Sequence, residues 1–207
     1  RVMRYKVPGF ESLPVEQKQL IYYLNEAALY GRDILFDQNN KYNLAIRRTL
    51  EGIYTTYQGD RDNEQWKALE TYLKKIWFAN GIHHHYSNDK FTPRFTEQYL
   101  DSLLAATPDS ALPLDFGSRE QIVSAIKPVI FDPALYPTRV NQSDGVDVVQ
   151  LSSVNFYDGL TQAEAESFYS AMRDETDPQP VSYGLNSAKS KNAHGRSAAC
   201  TAAQSKK

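Results

Sequence analysis

Apolar residues recur at helical spacing through most of the chain. Leu20, Tyr23, Leu24, Ala27 and Ala28 share one helix face, with Ser12 and Pro14 as start signals and Gly31 as a stop. A second pattern runs through Leu44, Arg47, Leu50, Ile53, Tyr54 and Tyr57 and closes at Gly59. A third follows Asp62 or Asn63 as cap. Its stripe is Trp66, Leu69, Leu73, Ile76 and Trp77, with Gly81 at its end. Thr96 caps a fourth, carrying Tyr99, Leu100, Leu103 and Leu104. Ser118 and Gln121 form a capping box ahead of Ile122, Val123 and Ile126, and Pro128 is expected to end that helix. Thr161 and Glu164 form another box before Ala165, Phe168, Tyr169 and Met172.

The alternation changes once. Val146, Val148, Val149 and Leu151 follow the turn signal Asp144-Gly145 and read as a strand. The expected fold is therefore mainly α with a small β portion, an α+β chain, with no repeat at solenoid periods. From Ser187 onward the pattern fails. Six alanines, four serines and scattered lysines show no apolar periodicity, so residues 188–207 are expected to be disordered.

Composition narrows the function classes. The chain has 207 residues, 23 basic and 25 acidic, for a formal charge of −2, which gives no electrostatic footprint for nucleic acid. No apolar run is long enough for a membrane segment, and no leader is visible. The compartment stays open between cytoplasm and periplasm. Arg1 at the first position points to a true start upstream. The single cysteine, Cys200, leaves no internal disulfide and no cysteine-based zinc site. Residues 187–207 hold five basic residues and no acidic one, so residues 1–186 carry 18 basic and 25 acidic residues, a formal −7.

No phosphate-binding glycine loop, no serine elbow and no His-Glu-x-x-His occurs. The run His83-His84-His85 is conspicuous, but neighbouring residues diverge on a helix or a strand, whereas a catalytic zinc needs converging ligands. A hydrogen-bonding loop against a cleft and a plain structural loop are its other readings. Glu164 and Glu166 also diverge on a helix, so they read as helix N-terminal acids rather than an acid–base pair. The stripe from Trp66 to Trp77 reads as core. The amide-rich segment 36–43 reads either as a loop satisfying its own backbone or as a peptide-recognition element.

Longer stretches carry a resemblance. Gly31-Arg-Asp-Ile-Leu-Phe-Asp-Gln-Asn-Asn-Lys-Tyr-Asn-Leu44 and Tyr72-Leu-Lys-Lys-Ile-Trp-Phe-Ala-Asn-Gly-Ile-His-His-His-Tyr86, then Asp89-Lys-Phe91, form the first part. Pro128-Val-Ile-Phe-Asp-Pro133, Arg139-Val-Asn-Gln142, Asn155-Phe-Tyr-Asp-Gly159, Gln162-Ala-Glu-Ala-Glu-Ser-Phe-Tyr169 and Pro180-Val-Ser-Tyr-Gly-Leu-Asn-Ser187 continue it. In one register these segments resemble the amino-terminal part of bacterial dipeptidyl peptidase III enzymes. The resemblance implies a two-lobed zinc exopeptidase that removes dipeptides from the amino terminus of oligopeptides. It implies that residues 1–187 belong to the zinc-free lobe, one wall of the substrate cleft. The family's zinc ligands lie on a His-Glu-x-x-Gly-His helix and a Glu-Glu-x-Arg-Ala helix, and neither motif occurs in the 207 residues. Zinc thus belongs to the full-length family, none is expected on this chain, and no catalytic residue is assigned in it. The segment 80–86 lies near the family's cleft, which makes Asn80, His85 and Tyr86 the candidate substrate-binding residues, with packing as the alternative role of His85 and Tyr86.

The resemblance stops where the composition breaks. Arg196-Ser-Ala-Ala-Cys-Thr201, back-translated and read from the third base of each codon, permits Val-Gly-Gly-Leu-Tyr, which resembles the family near this point. Residues 188–207 are accordingly expected to be out-of-frame translation of a longer gene, against a genuinely divergent tail. Two functions follow as expectations. One is an inactive amino-terminal fragment of a zinc dipeptidyl peptidase, with apolar surface left uncovered. The other is a non-catalytic helical module that binds peptides or other partners.

Overall fold

A computed structural model describes residues 5–157, 159–172 and 176. The described residues form eight α-helices: α1 Val15–Tyr30, α2 Arg32–Asn39, α3 Asn43–Thr56, α4 Glu64–Ala79, α5 Glu97–Ala106, α6 Arg119–Phe131, α7 Val148–Leu151 and α8 Gln162–Met172. None of these helices is long and apolar enough to cross a membrane. The expected boundary at residue 187 and the expected tail lie outside the described residues.

The core is built by α3 to α6. Ile46, Leu50 and Ile53 of α3 meet Trp66, Leu69, Leu73 and Ile76 of α4. Leu100, Leu103 and Leu104 of α5 and Ile122, Ile126, Val129 and Ile130 of α6 close the cluster. Each side chain of this size removed from water contributes about 1.5–3 kcal/mol, so the stripes hold the four helices together. Gly52 lets α3 come close to a neighbouring turn, because a Cβ there would sit 2.0 Å from the carbonyl oxygen of Ala111. Tyr57 lies just past α3, where its ring stacks on Trp66 at 4.2 Å.

Caps follow the sequence closely in this region. Asn63 accepts from the Gln65 amide, Thr96 from the Tyr99 amide, and Ser118 and Gln121 complete a reciprocal box. Thr161 and Glu164 do the same ahead of α8: the Thr161 amide donates to Glu164 at 2.8 Å and the Glu164 amide to Thr161 at 3.2 Å. Glu166 accepts from Gln162 at 2.7 Å. Both acids are thus occupied in shaping a helix start.

Several expectations are corrected. Residues 148–151 form a helical turn, not a strand. The Asp147 carboxylate accepts from the Val149 and Gln150 amides, at 3.0 and 2.9 Å, and this cap overrides the β preference of the valines. Among the described residues no sheet forms, and β pairing is confined to two isolated antiparallel bridges, His83 with Lys90 and Asp89 with Thr138. Pro128 does not end α6. It costs one backbone bond, but Val129 and Ile130 beyond it are each about 99% buried, and their packing carries the helix to Phe131. Trp77 is not core: it is half-exposed, and its indole donates to Glu51 at 2.7 Å. Ser12 caps no helix but lies in a 3-10 turn, bonded to the Gly9 carbonyl.

The amide-rich stretch is not simply a loop, because residues 32–39 form α2. Asp33 pairs with Arg47 at 2.9 Å and Arg48 at 2.8 Å, and Phe36 is buried beneath the Arg47 guanidinium, 4.6 Å away. Burial pushes the Asp33 carboxyl up, but the hydrogen bonds from Arg48 and Arg47 outweigh it and hold it below its ordinary value. Gly31 does not terminate the helical run. Its φ of −68° is right-handed, so α1 passes directly into α2.

Candidate functional site

The His-rich loop starts from the end of α4. Asn80 takes the left-handed conformation, φ 55°, and the Gly81 amide donates back to the Ile76 carbonyl at 3.1 Å, a Schellman-type closure. Gly81 has φ 149°, and a Cβ on it would lie 2.2 Å from the Asn43 side chain, so only glycine fits. Asn43 is fully buried, donates to the Phe36 carbonyl at 3.0 Å and accepts from the Ile82 amide at 3.1 Å. Asn39 donates to the Asn80 carbonyl at 2.9 Å. The amides of segment 36–43 thus satisfy backbone groups and fix where the next loop begins.

The three histidines have three different roles. His83 is buried, with Nε2 2.8 Å from the Tyr136 carbonyl and 3.1 Å from Ser153 Oγ. Tyr136 sits at φ 55° in the turn that presents this carbonyl. Burial lowers the His83 pKa to about 4, partly opposed by the Tyr136 hydrogen bond. The Ser153 hydroxyl donates to the Thr138 carbonyl, so its proton is directed away from His83. This pair is a structural tie, not a nucleophile and its base.

His84 and His85 face a cavity of about 610 Å³. His84 Nδ1 accepts from the Tyr86 and Ser87 amides at 3.2 Å each, which leaves Nε2 as the donor of the neutral ring. His85 stacks on His84 at 4.7 Å and meets the edge of Phe78 at 4.9 Å. Lys74, Lys75, Lys90 and Phe91 complete much of the wall. Lys75 lies 5.6 Å over the Phe91 ring. Lys90 donates to the Asp132 and Leu135 carbonyls at 2.7 Å each, and burial lowers its pKa to about 8.

The sequence candidates divide. His85 lines the cavity. Tyr86 stands beside it, 83% exposed, its ring 4.3 Å from that of His85. Asn80 is not among the lining residues, and its place at the α4 terminus makes it a cap. Phe78, Lys74 and Lys75 were not legible as site residues. The available signal was an aromatic on the polar face of α4, since Phe78 lies outside the core stripe and is 74% exposed.

The cavity offers aromatic faces, ring N–H donors and ammonium groups, a surface suited to an extended peptide or another chain with carbonyl and carboxylate groups. Among the described residues no group of three His, Cys, Asp or Glu converges on a point where a metal ion could be held. His83 has its Nε2 committed to Tyr136, and His84 has its Nδ1 committed to two amides. No protein-family model matches the chain, and no curated protein matches it.

Proposed function

We propose that this chain is the amino-terminal part of the zinc-free lobe of a dipeptidyl peptidase III-like exopeptidase and supplies one wall of its oligopeptide cleft. The supporting observation is the collinear resemblance through about residues 1–187, whose cleft-flanking segment 80–86 contains the two histidines, His84 and His85, that line the 610 Å³ cavity. In this reading Phe78, His85 and Phe91 take the side chains of a bound peptide, and the ring N–H of His84 meets one of its carbonyls. The small β portion of the lobe belongs to this proposal too. The zinc chemistry belongs to residues that the 207-residue sequence does not contain, so the chain by itself hydrolyses nothing.

The test is hydrolysis of a dipeptidyl-naphthylamide with added zinc. No turnover is expected from the 207-residue chain. Turnover abolished by chelation would overturn the inactive reading. A tetrapeptide titrated against the same chain separates lobe from module: weak binding that Phe78→Ala reduces supports a cleft wall. Tight binding that needs no second lobe favours a self-sufficient peptide-binding module.

A further inference from the structure

The charges on the wall of the 610 Å³ cavity say which peptides it favours. Thr71, Lys74, Lys75 and Phe78 recur at helical spacing on the exposed face of α4 and form one side of it. The loop on the other side is fixed by its own backbone. The His84 amide donates to the Asp89 carbonyl at 2.8 Å, the Asn88 amide to the His84 carbonyl at 3.1 Å, and the Phe91 amide to the Ile82 carbonyl at 2.8 Å. The wall is thus formed before a ligand arrives, and binding orders little new structure.

Lys74, Lys75 and Lys90 line the cavity with one acidic residue, Asp89. The carboxylates that offset two of these lysines stand behind the wall. Glu70 pairs with Lys74 at 3.1 Å, and Asp132 attracts Lys90, whose ammonium donates to the Asp132 and Leu135 carbonyls. Neither Glu70 nor Asp132 is a lining residue. A ligand inside therefore meets the ammonium groups at shorter range than their counter-charges, and attraction weakens with distance. Lys75 is the cation placed to pair. Its ammonium rests over the Phe91 ring, 5.6 Å from the centroid, and forms no ion pair among the described residues. Phe78 follows three positions on along α4 and meets the ring of His85 at 4.9 Å, so an apolar platform adjoins this charge. We infer that the cavity selects oligopeptides carrying an aspartate or glutamate side chain, whose carboxylate pairs with Lys75 while a nearby apolar side chain of the peptide rests on Phe78 and His85. The inference rests on the reading of this cavity as a peptide-binding wall and adds its charge preference.

The experiment is an NMR titration of the isotope-labelled 207-residue chain with three amidated tetrapeptides, Ala-Glu-Phe-Ala-amide, Ala-Gln-Phe-Ala-amide and Ala-Lys-Phe-Ala-amide. The amide ends leave the side chain as the one source of a carboxylate. The glutamate peptide is expected to shift the backbone of residues 84–91 saturably and to bind about fivefold more tightly than the glutamine peptide, as a charge-assisted bond replaces a neutral one. The lysine peptide should bind most weakly. Lys75 is exposed, so Lys75→Met leaves the fold intact, and in that variant the glutamate and glutamine peptides should bind alike. Equal binding of these two peptides to the native chain, tighter binding of the lysine peptide, or a preference that persists in Lys75→Met would overturn the charge preference and leave the peptide wall standing. The glutamine peptide with a free carboxyl terminus separates the two sources of a carboxylate. If it binds as tightly as the amidated glutamate peptide, selection by the side chain is overturned. If no peptide shifts residues 84–91, the peptide wall falls and the preference with it.

Discussion

Helices α1 and α4 are each 16 residues long and both carry apolar residues at helical spacing, yet they end in opposite environments. α4 buries Trp66, Leu69, Tyr72, Leu73, Ile76 and Ala79, whereas α1 buries nothing. The difference lies in how the apolar residues wrap the helix. In α4 they form a stripe, which one layer of neighbours can cover. In α1 the consecutive residues Leu20, Ile21, Tyr22, Tyr23 and Leu24 run around the whole circumference, and all five are exposed, between 44 and 67%. A helix apolar on all sides is one made to be surrounded. Among the described residues, only α2 is a substantial neighbour of α1. Periodicity therefore reports that a segment is helical, while the width of the apolar face reports how many partners it needs.

The comparison can be broken most sharply by truncation. Leu73→Ala should cost about 2–5 kcal/mol in urea unfolding, because it opens a cavity among packed side chains. Leu24→Ala on α1 should change stability by less than about 0.5 kcal/mol. Equal losses would mean that α1 is packed in solution.

The next effect concerns the loop that the α4 end launches. The lowered pKa of His83, about 4 against an ordinary 6.5, means that folding favours the neutral ring. Its contribution is complete above pH 6.5 and is lost as pH falls toward 4, on the order of 3 kcal/mol in all. Unfolding midpoints measured from pH 7 to 4 should therefore fall more steeply in the native chain than in His83→Gln. Parallel curves would show that burial of this ring does not control the acid limb.

Caps give the smallest effect. Ser118→Ala removes a reciprocal capping box and should cost about 1 kcal/mol. Ser12→Ala touches no helix cap and should stay within about 0.5 kcal/mol. A thermal shift of similar size in both would dissolve the contrast between the packed and the exposed helix starts.

The sequence was most legible where one local device decided the outcome. The cap side chains Asn63, Thr96, Ser118 and Thr161 act within three residues of themselves, so spacing alone locates them. The valines at 148 and 149 were misleading because Asp147, also local, competes with their β preference and wins. Residues 32–39 were illegible for another reason. Their helix rests on Arg47 and Arg48, which lie in α3 and meet Asp33 only once the chain has folded. The same holds for the candidate site. His85 was visible in an unusual run and Tyr86 through the resemblance, but the lysines and Phe78 join them only through the turn of α4 against the loop.

By itself, then, the sequence determined that the segments of α1, α3, α4, α5, α6 and α8 are helical, which side chains cap α4, α5, α6 and α8 and which stripes are apolar, because these depend on neighbours three or four positions away. Tertiary structure alone decided that helix α6 passes through Pro128, that Trp77 faces outward and that three adjacent histidines divide into one buried tie and two cavity walls. Those outcomes depend on which distant groups supply burial or hydrogen bonds. Burial in the shared core cluster, a carbonyl from Tyr136 and a carboxylate from Glu51 are set by chain topology, and no local spacing encodes them.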